Sequence, residues 1–443
     1  MQKTNRSKLL SLVLTLAIVM SLFAGLTISA SAYTPNGTMT YLSTHTSEGT
    51  SGTVWSISSE AELVLLASYV NYASGTTTNN TIGVTFYLTK DLTLNSAFNA
   101  ASINPANAGV PSGSGLTEWT PIGGGAATTS FKGTFDGQNF TVFNPFYNRS
   151  GNSGTSGNSI YNNIGLFGKL EENATLKNLK ISGGYIGAER SVGGLVGKSW
   201  GDIINCHNLG TMVYSNQSKG VGGIVGANWV NSTANPPSIS NSSNAGTVKS
   251  AYASGSAGGI AGENEGSIFN CRNTGAITSP YNAGGLVGSN KNDINKQPSA
   301  PNYNPNNFTG GTIYGGITNS YNAGTVTGKI AAGIAAYHLG SMRNCYNIGA
   351  ISGSLYAGQI IGESNSSLTN ESLFYSNTSN IAAAGRIISG SNINTIANSF
   401  GSTDTDKIDL VDELDAWASS NGYVGWTRDA NNVINNGYPV FAA

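Results

Sequence analysis

The chain has 443 residues, of which 59 are glycine and only 10% are charged, with 21 basic against 22 acidic side chains. Soluble proteins average about 25% charged residues and ~7% glycine, so a Glu/Lys-rich coiled coil and a charge-driven disordered chain are both excluded. The near-zero charge balance excludes a nucleic-acid binder that works through a basic surface, and 39% apolar residues suffice for a core.

Lys3, Arg6 and Lys8 precede an apolar stretch from Leu9 to about Leu26, and Ala30-Ser31-Ala32 supplies small residues for a signal peptidase. Residues 1–32 therefore read as a secretory signal peptide cleaved before Tyr33. An uncleaved anchor is the alternative, because the stretch is nearly long enough to span a bilayer. The Ala-x-Ala site favours cleavage. No cysteine for a lipid anchor stands there and no second long apolar run follows, so the expectation is a secreted chain, outside the membrane after cleavage. Cleavage removes three of the 21 basic residues and none of the 22 acidic ones, leaving a net charge of −4.

Residues 33–160 read as an N-terminal cap and the first coils of a repeat array. Ser59-x-x-Glu62 is a capping box with Ile57 as a hydrophobic staple. The helix it opens carries Leu63, Leu66, Tyr69 and Val70 on one stripe, suited to covering the open end of a stacked sheet.

From 161 to 385 a four-residue phrase recurs: Gly165–Gly168, Gly194–Gly197, Gly223–Gly226, Gly259–Gly262 and Gly285–Gly288, with worn copies at Gly333–Ala336 and Gln359–Gly362. A second phrase, apolar-x-Asn-(Cys/Ser)-x-Asn-x-Gly, follows each copy. Its first Asn is Asn205, Asn241, Asn270, Asn319 or Asn344, with Asn370 in a worn copy. The commonest offset between the phrases fixes the register and leaves insertions at Val230–Ser238 and Asn290–Thr312, the latter read as a mobile loop. The unit is then about 25–29 residues. Each unit holds three short apolar pieces separated by Gly and Asn, which fits one triangular coil of a parallel β-helix. Helical repeats would not tolerate several glycines per unit at ~1 kcal/mol each. The predicted fold is all-β: a single β-solenoid with short capping helices at both ends.

In-register coils stack at ~4.8 Å, so each repeat position becomes a column. Asn tolerates left-handed backbone and hydrogen-bonds its own kind along a stack. Asn205, Asn241, Asn270, Asn319 and Asn344 are expected to form one structural ladder, and Asn208, Asn244, Asn273, Asn322 and Asn347 a second.

The Gly-Gly-(Leu/Ile)-Val-Gly phrase followed by Ile-x-Asn-Cys-x-Asn-x-Gly resembles the GLUG-motif repeats of secreted bacterial surface proteins. Trp55-Ser56-Ile57, Tyr87 to Leu92, Trp119 to Gly123, Gly133 to Gly137 and the closing Asn436 to Val440 are similar to segments those proteins share. The resemblance implies a surface-binding or adhesive role and is poorly specific for activity. Some such repeats stand beside zinc peptidase domains in immunoglobulin A peptidase-type proteins, and this chain lacks a HExxH segment.

Residues 386–443 read as a C-terminal cap. Asp409 to Ser419 is expected to be a helix with Val411, Leu414 and Trp417 on one face. Trp426, Val433, Tyr438 and Val440 suggest a small sheet or covering loop. The acidic run from Asp404 to Asp415 lacks EF-hand spacing and suits a helix N-terminus instead.

Cys206, Cys271 and Cys345 share one column, with Ser242 and Ser320 between them. Alternate coils lie ~9.6 Å apart and a disulfide needs Cα atoms within about 7 Å, so three unpaired buried thiols are predicted. His45, His207 and His338 sit in unrelated contexts, and no metal or cofactor is expected. Glu263 and Glu363 share a column three coils apart, too far for paired acid-base catalysis. The expectation is a noncatalytic protein that binds glycan or a cell-surface protein. A polysaccharide lyase or glycoside hydrolase of the β-helix type is the alternative, and an ice-binding or assembly surface a weaker third. Trp200 and Trp229 fall at equivalent places on neighbouring coils and form the candidate ligand platform. Tyr321 and Tyr346, in a column with His207 and Arg272, form a second. Aromatic packing beneath the insertion at Val230–Ser238 is the competing reading of the Trp pair.

Overall fold

A computed structural model describes residues 34–443 apart from 45, 75–76, 79–80, 100–114, 125–128, 150–161, 218–219, 232–234, 292–314, 367–369, 377–380, 391–396, 430–434, 436 and 443. The signal peptide and most of the long insertion lie outside the described residues.

One coil shows the architecture. Strand Val196–Ser199 lies in a third sheet, Asp202–Ile204 and His207–Asn208 in a first, and Met212–Ser215 in a second; the chain returns to the third sheet at Val225–Asn228. Val196 pairs in parallel with Val225, one turn and 29 residues later. Stacking such coils gives parallel sheets of 18, 11 and 8 strands among the described residues. The chain is a parallel β-helix.

The register turns the apolar repeat positions into columns. Phe167, Val196, Val225, Ala261, Val287, Ala335, Ile361 and Ala384 follow one another along the third sheet. Leu176, Ile203, Ile239, Ile268, Ile317 and Met342 do so along the first. These two columns face each other in one continuous core. The column on the second sheet, from Ile186 through Val213, Val248, Ile277 and Val326 to Ile351, builds a separate stripe. The doubled glycines explain the division. A Cβ on Gly193 or Gly222 would collide with the carbonyl oxygen of Val196 or Val225, so second and third sheets meet backbone to backbone and leave no side-chain layer between them.

Helices α1 (Met39–Thr44) and α2 (Glu60–Asn71) bury Met39, Leu42, Leu63, Leu66 and Val70 in the N-terminal end of the main core. Ser59 caps α2 by accepting from the Glu62 backbone N–H. The return half of the box differs from expectation. Glu62 reaches the Ser58 N–H at 2.7 Å and the Thr40 hydroxyl at 2.8 Å, tying α1 to α2. Burial raises the Glu62 pKa, but these hydrogen bonds outweigh it and hold the carboxyl below its ordinary value.

Five expectations are corrected. Helix α3 spans Asp404–Asn421, starting five residues earlier than predicted, because Thr403 and Asp406 form a full capping box. Its buried stripe is Leu410, Leu414 and Ala418 rather than Val411, Leu414 and Trp417. Nor does it plug the end of the stack. The C-terminal segment runs back along the flank of the first sheet, where Asn344 donates to the Leu414 carbonyl, Asn319 to the Val424 carbonyl, and Tyr423 meets Phe269. The hairpin Trp426–Arg428 with Pro439–Phe441 completes this strap. Finally, Asn370 pairs with Met342, so Ser372 takes the left-handed position assigned to Asn370. Asn290 likewise belongs to a regular strand, Val287–Asn290, and not to the insertion.

Candidate functional site

The first predicted asparagine ladder lies in left-handed backbone, with φ between 48° and 53° at Asn205, Asn241, Asn270, Asn319 and Asn344. Side-chain amides link coils: Asn270 donates to Asn241 at 3.0 Å, Asn319 to Asn270 at 2.8 Å and Asn344 to Asn319 at 2.6 Å. Asn205 donates to Asn178 and Asn139, two further left-handed asparagines whose phrases are too worn to align by eye. The second set, Asn208, Asn244, Asn273, Asn322 and Asn347, is buried. Asn244, Asn273 and Asn322 each donate to the next asparagine at 2.8 Å and to the carbonyl two residues on. A third ladder went unread in the sequence. Asn228 donates to Asn264, Asn264 to Asn290, and Asn290 contacts His338 Nδ1 at 3.2 Å. Its signal was present as Gly-x-Asn after three of the closing glycines, Gly226, Gly262 and Gly288.

The three cysteines are free and buried. Burial pushes each thiol up to about 12. Cys206 and Cys271 donate their backbone N–H to the hydroxyls of Ser242 and Ser320 one coil on.

Trp200 and Trp229 are half-buried at the corner between third and first sheets, and Lys198 is inserted at both rings, its Nζ 4.3 Å and 3.8 Å from their centroids. Trp229 also donates its indole N–H to Glu263, which Lys291 holds at 2.8 Å. The corner is thus filled by its own cation. Tyr321 and Tyr346 stack at 4.9 Å with their planes 6° apart, but both are fully buried. Trp426 and Phe441 of the strap pack on the pair, and Tyr346 donates to the Pro439 carbonyl. The expectation of an open tyrosine platform is corrected: the strap seals it.

Where the strap ends, the same face opens. A groove of about 500 Å³ lies over Asn205, Asn241 and Asn270, with His207 and Arg272 on its floor and Val424 and Phe441 on the strap side. The column beneath reads Lys180, His207, Ser243, Arg272, Tyr321. His207 contacts Ser243 Oγ at 2.9 Å and Asn205 Oδ1 at 3.0 Å. Burial, then the charges of Arg272 and Lys180, lower its pKa to about 4, so the ring is neutral near pH 7. Among the described residues Arg272 and Lys180 form no ion pair with a carboxylate.

The carboxylates elsewhere are engaged. Glu263 is held by Lys291, Glu265 accepts the Val230 N–H, and Glu363 pairs with Arg386. Glu263 and Glu363 do share a column, separated by Ser289 and Tyr337. Among the described residues no group of three His, Cys, Asp or Glu side chains could hold a metal ion, and no helix is long and apolar enough to cross a membrane.

No family model matches the chain. A protein of Evansella cellulosilytica named "Putative Gly-rich membrane protein" is 39% identical over 90 residues, which are 20% of this chain. The chain spans only 9% of that relative's length. A solved structure from Bacteroides ovatus, described as a "putative immunoglobulin A1 protease", aligns over 89% of this chain and 93% of its own, with 18% identity and a TM-score of 0.45.

Proposed function

We propose that this chain is an exported, noncatalytic β-solenoid of the GLUG-repeat kind that binds glycan at a bacterial surface or in its surroundings. The observation that carries this reading is the groove over the first asparagine ladder. It offers a row of amides for sugar hydroxyls, an apolar wall for a ring face, and a guanidinium with no carboxylate partner. Backbone groups along the face are taken up by neighbouring coils, as in the pairing of His207–Asn208 with Ser243–Asn244. A protein segment therefore has no free sheet edge to extend there. The engaged state of Glu263, Glu265 and Glu363 supports a binder over a hydrolase, which needs two free carboxylates across one bond.

A glycan array and polysaccharide pull-down with the exported chain, run beside a reducing-end release assay, tests the reading. Binding without release is the expected result. Product release would replace it with the polysaccharide-cleaving alternative, and silence in both assays would sink glycan binding altogether.

A further inference from the structure

The geometry points to a carboxylate-bearing polysaccharide, a chain of uronate-type sugars, as the ligand of the Arg272 groove. This inference rests on the glycan reading and narrows it to an acidic class. Four successive rungs of one column carry Lys180, His207, Ser243 and Arg272. At ~4.8 Å per rung the two cations stand about 14 Å apart along the stack. Neither is paired with a carboxylate among the described residues. Arg272 is half-buried, interacts with the buried Tyr321 on one side and lines the open groove, with no carboxylate ion pair among the described residues.

The neighbours sharpen the choice. His207 between the cations is held neutral first by burial and then by the charges of Arg272 and Lys180, so it adds no charge of its own. Guanidinium binds carboxylate through two parallel N–H···O bonds. Asn205, Asn241 and Asn270 repeat at the coil spacing, which is close to the length of one pyranose ring. A polymer that repeats its hydroxyls and carboxylate along the chain can meet amide and cation rungs in turn. Phe441 on the strap side offers an apolar surface to the C–H face of a ring.

The test uses the whole exported chain and three probes: polygalacturonate, its methyl ester, and poly-glutamate. The methyl ester keeps the ring and removes the charge; poly-glutamate keeps the charge and removes the ring. We expect binding of polygalacturonate that weakens with added salt, and weaker binding of the ester by about tenfold or more, the worth of one charged hydrogen-bonding pair. Arg272→Gln should reproduce the loss on the unesterified polymer, and Lys180→Gln should give a smaller one. Lys249→Gln, on the second sheet, controls for net charge and should leave binding unchanged. Circular dichroism of each variant checks that the fold is kept. Equal binding of polymer and ester, or an Arg272→Gln variant that binds normally, overturns the acidic class while leaving glycan binding standing. Equal binding of poly-glutamate overturns the saccharide. Failure of both sugar polymers together with an empty glycan array overturns this inference and the glycan reading beneath it.

Discussion

At the scale of single residues, the two kinds of asparagine differ in what they can lose. Asn241 is exposed and sits at φ 52°. Glycine takes that backbone freely, whereas a β-branched side chain is strained by about 1–2 kcal/mol. Asn241→Gly should therefore keep the backbone and lose only the bond accepted from Asn270, costing about 1 kcal/mol in urea unfolding, with Asn241→Val more destabilising. Asn322 is fully buried and accepts from Asn273 and Gly324 while donating to Gly324 and Asn347. Asn322→Ala strands several buried groups and should cost about 2–4 kcal/mol. The titrating side chains give pH predictions of opposite sign. His338 is fully buried in the third ladder and its pKa is lowered to about 4, first by burial. The unfolded state thus takes up the proton first, so stability is complete above pH ~6.5 and falls as the pH drops toward 4, by about 3 kcal/mol in all. His338→Asn, which restores the ladder residue, should flatten that acid limb in pH-dependent unfolding. The thiols work the other way. Their raised pKa means the unfolded state loses protons first, so stability is complete below pH ~8.5 and falls as the pH rises toward 12. Replacing all three by Ser, the residue already alternating with them in that column, should make the alkaline limb shallower.

Elements were legible in the sequence to the degree that a repeat or a cap marked them. The recurring Gly and Asn phrases placed the coil, its register and its cysteine column, because stacking makes each position answer to its neighbours. Asn370 misled because the last coil keeps the stack and drops the phrase; its φ requirement moved to Ser372. The C-terminal segment belongs to no repeat, so nothing in its own spacing said that it would turn back along the flank. Its apolar residues announced a covering role, but what they cover is decided by Tyr321 and Tyr346 on distant coils. For the same reason the tyrosines read as a platform and the Arg272 groove was not foreseen: its wall is made by residues more than 150 positions further along the chain. The strap's hold can be measured. Trp426 packs on both tyrosines and donates its indole N–H to Asn319 at 2.6 Å. Trp426→Ala removes a buried aromatic and should cost about 3–5 kcal/mol. Limited proteolysis should then cut within 401–443 while the coils stay intact; a strap that remains protected would mean the hairpin is held elsewhere.

The whole molecule is a one-dimensional stack, and its energetics should follow nearest neighbours. Each coil rests on the one before and the one after: Ile268 pairs with Ile239 on one side and Ile317 on the other. Ile268 is fully buried in the main core, so Ile268→Ala loses transfer energy and leaves a cavity, about 2–5 kcal/mol together. In a globular domain that loss would be shared by every amide whose exchange requires global unfolding. Here the coils on either side can remain stacked on their own outer neighbours. Hydrogen exchange should therefore show protection lost around Ile239, Ile268 and Ile317 and largely kept near Phe86 and Ile361, at the two ends of the stack. The strap modifies this expectation in one place. It bridges coils from Phe269 to Phe374 through Tyr423, Asn319, Asn344 and Tyr346, joining non-adjacent coils into one cooperative unit. The loss of protection from Ile268→Ala should accordingly spread less far toward the C-terminal coils than toward the N-terminal ones. The double variant with Trp426→Ala should remove that asymmetry. A symmetric profile in the single variant would show that the strap lies on the flank without coupling the coils beneath it.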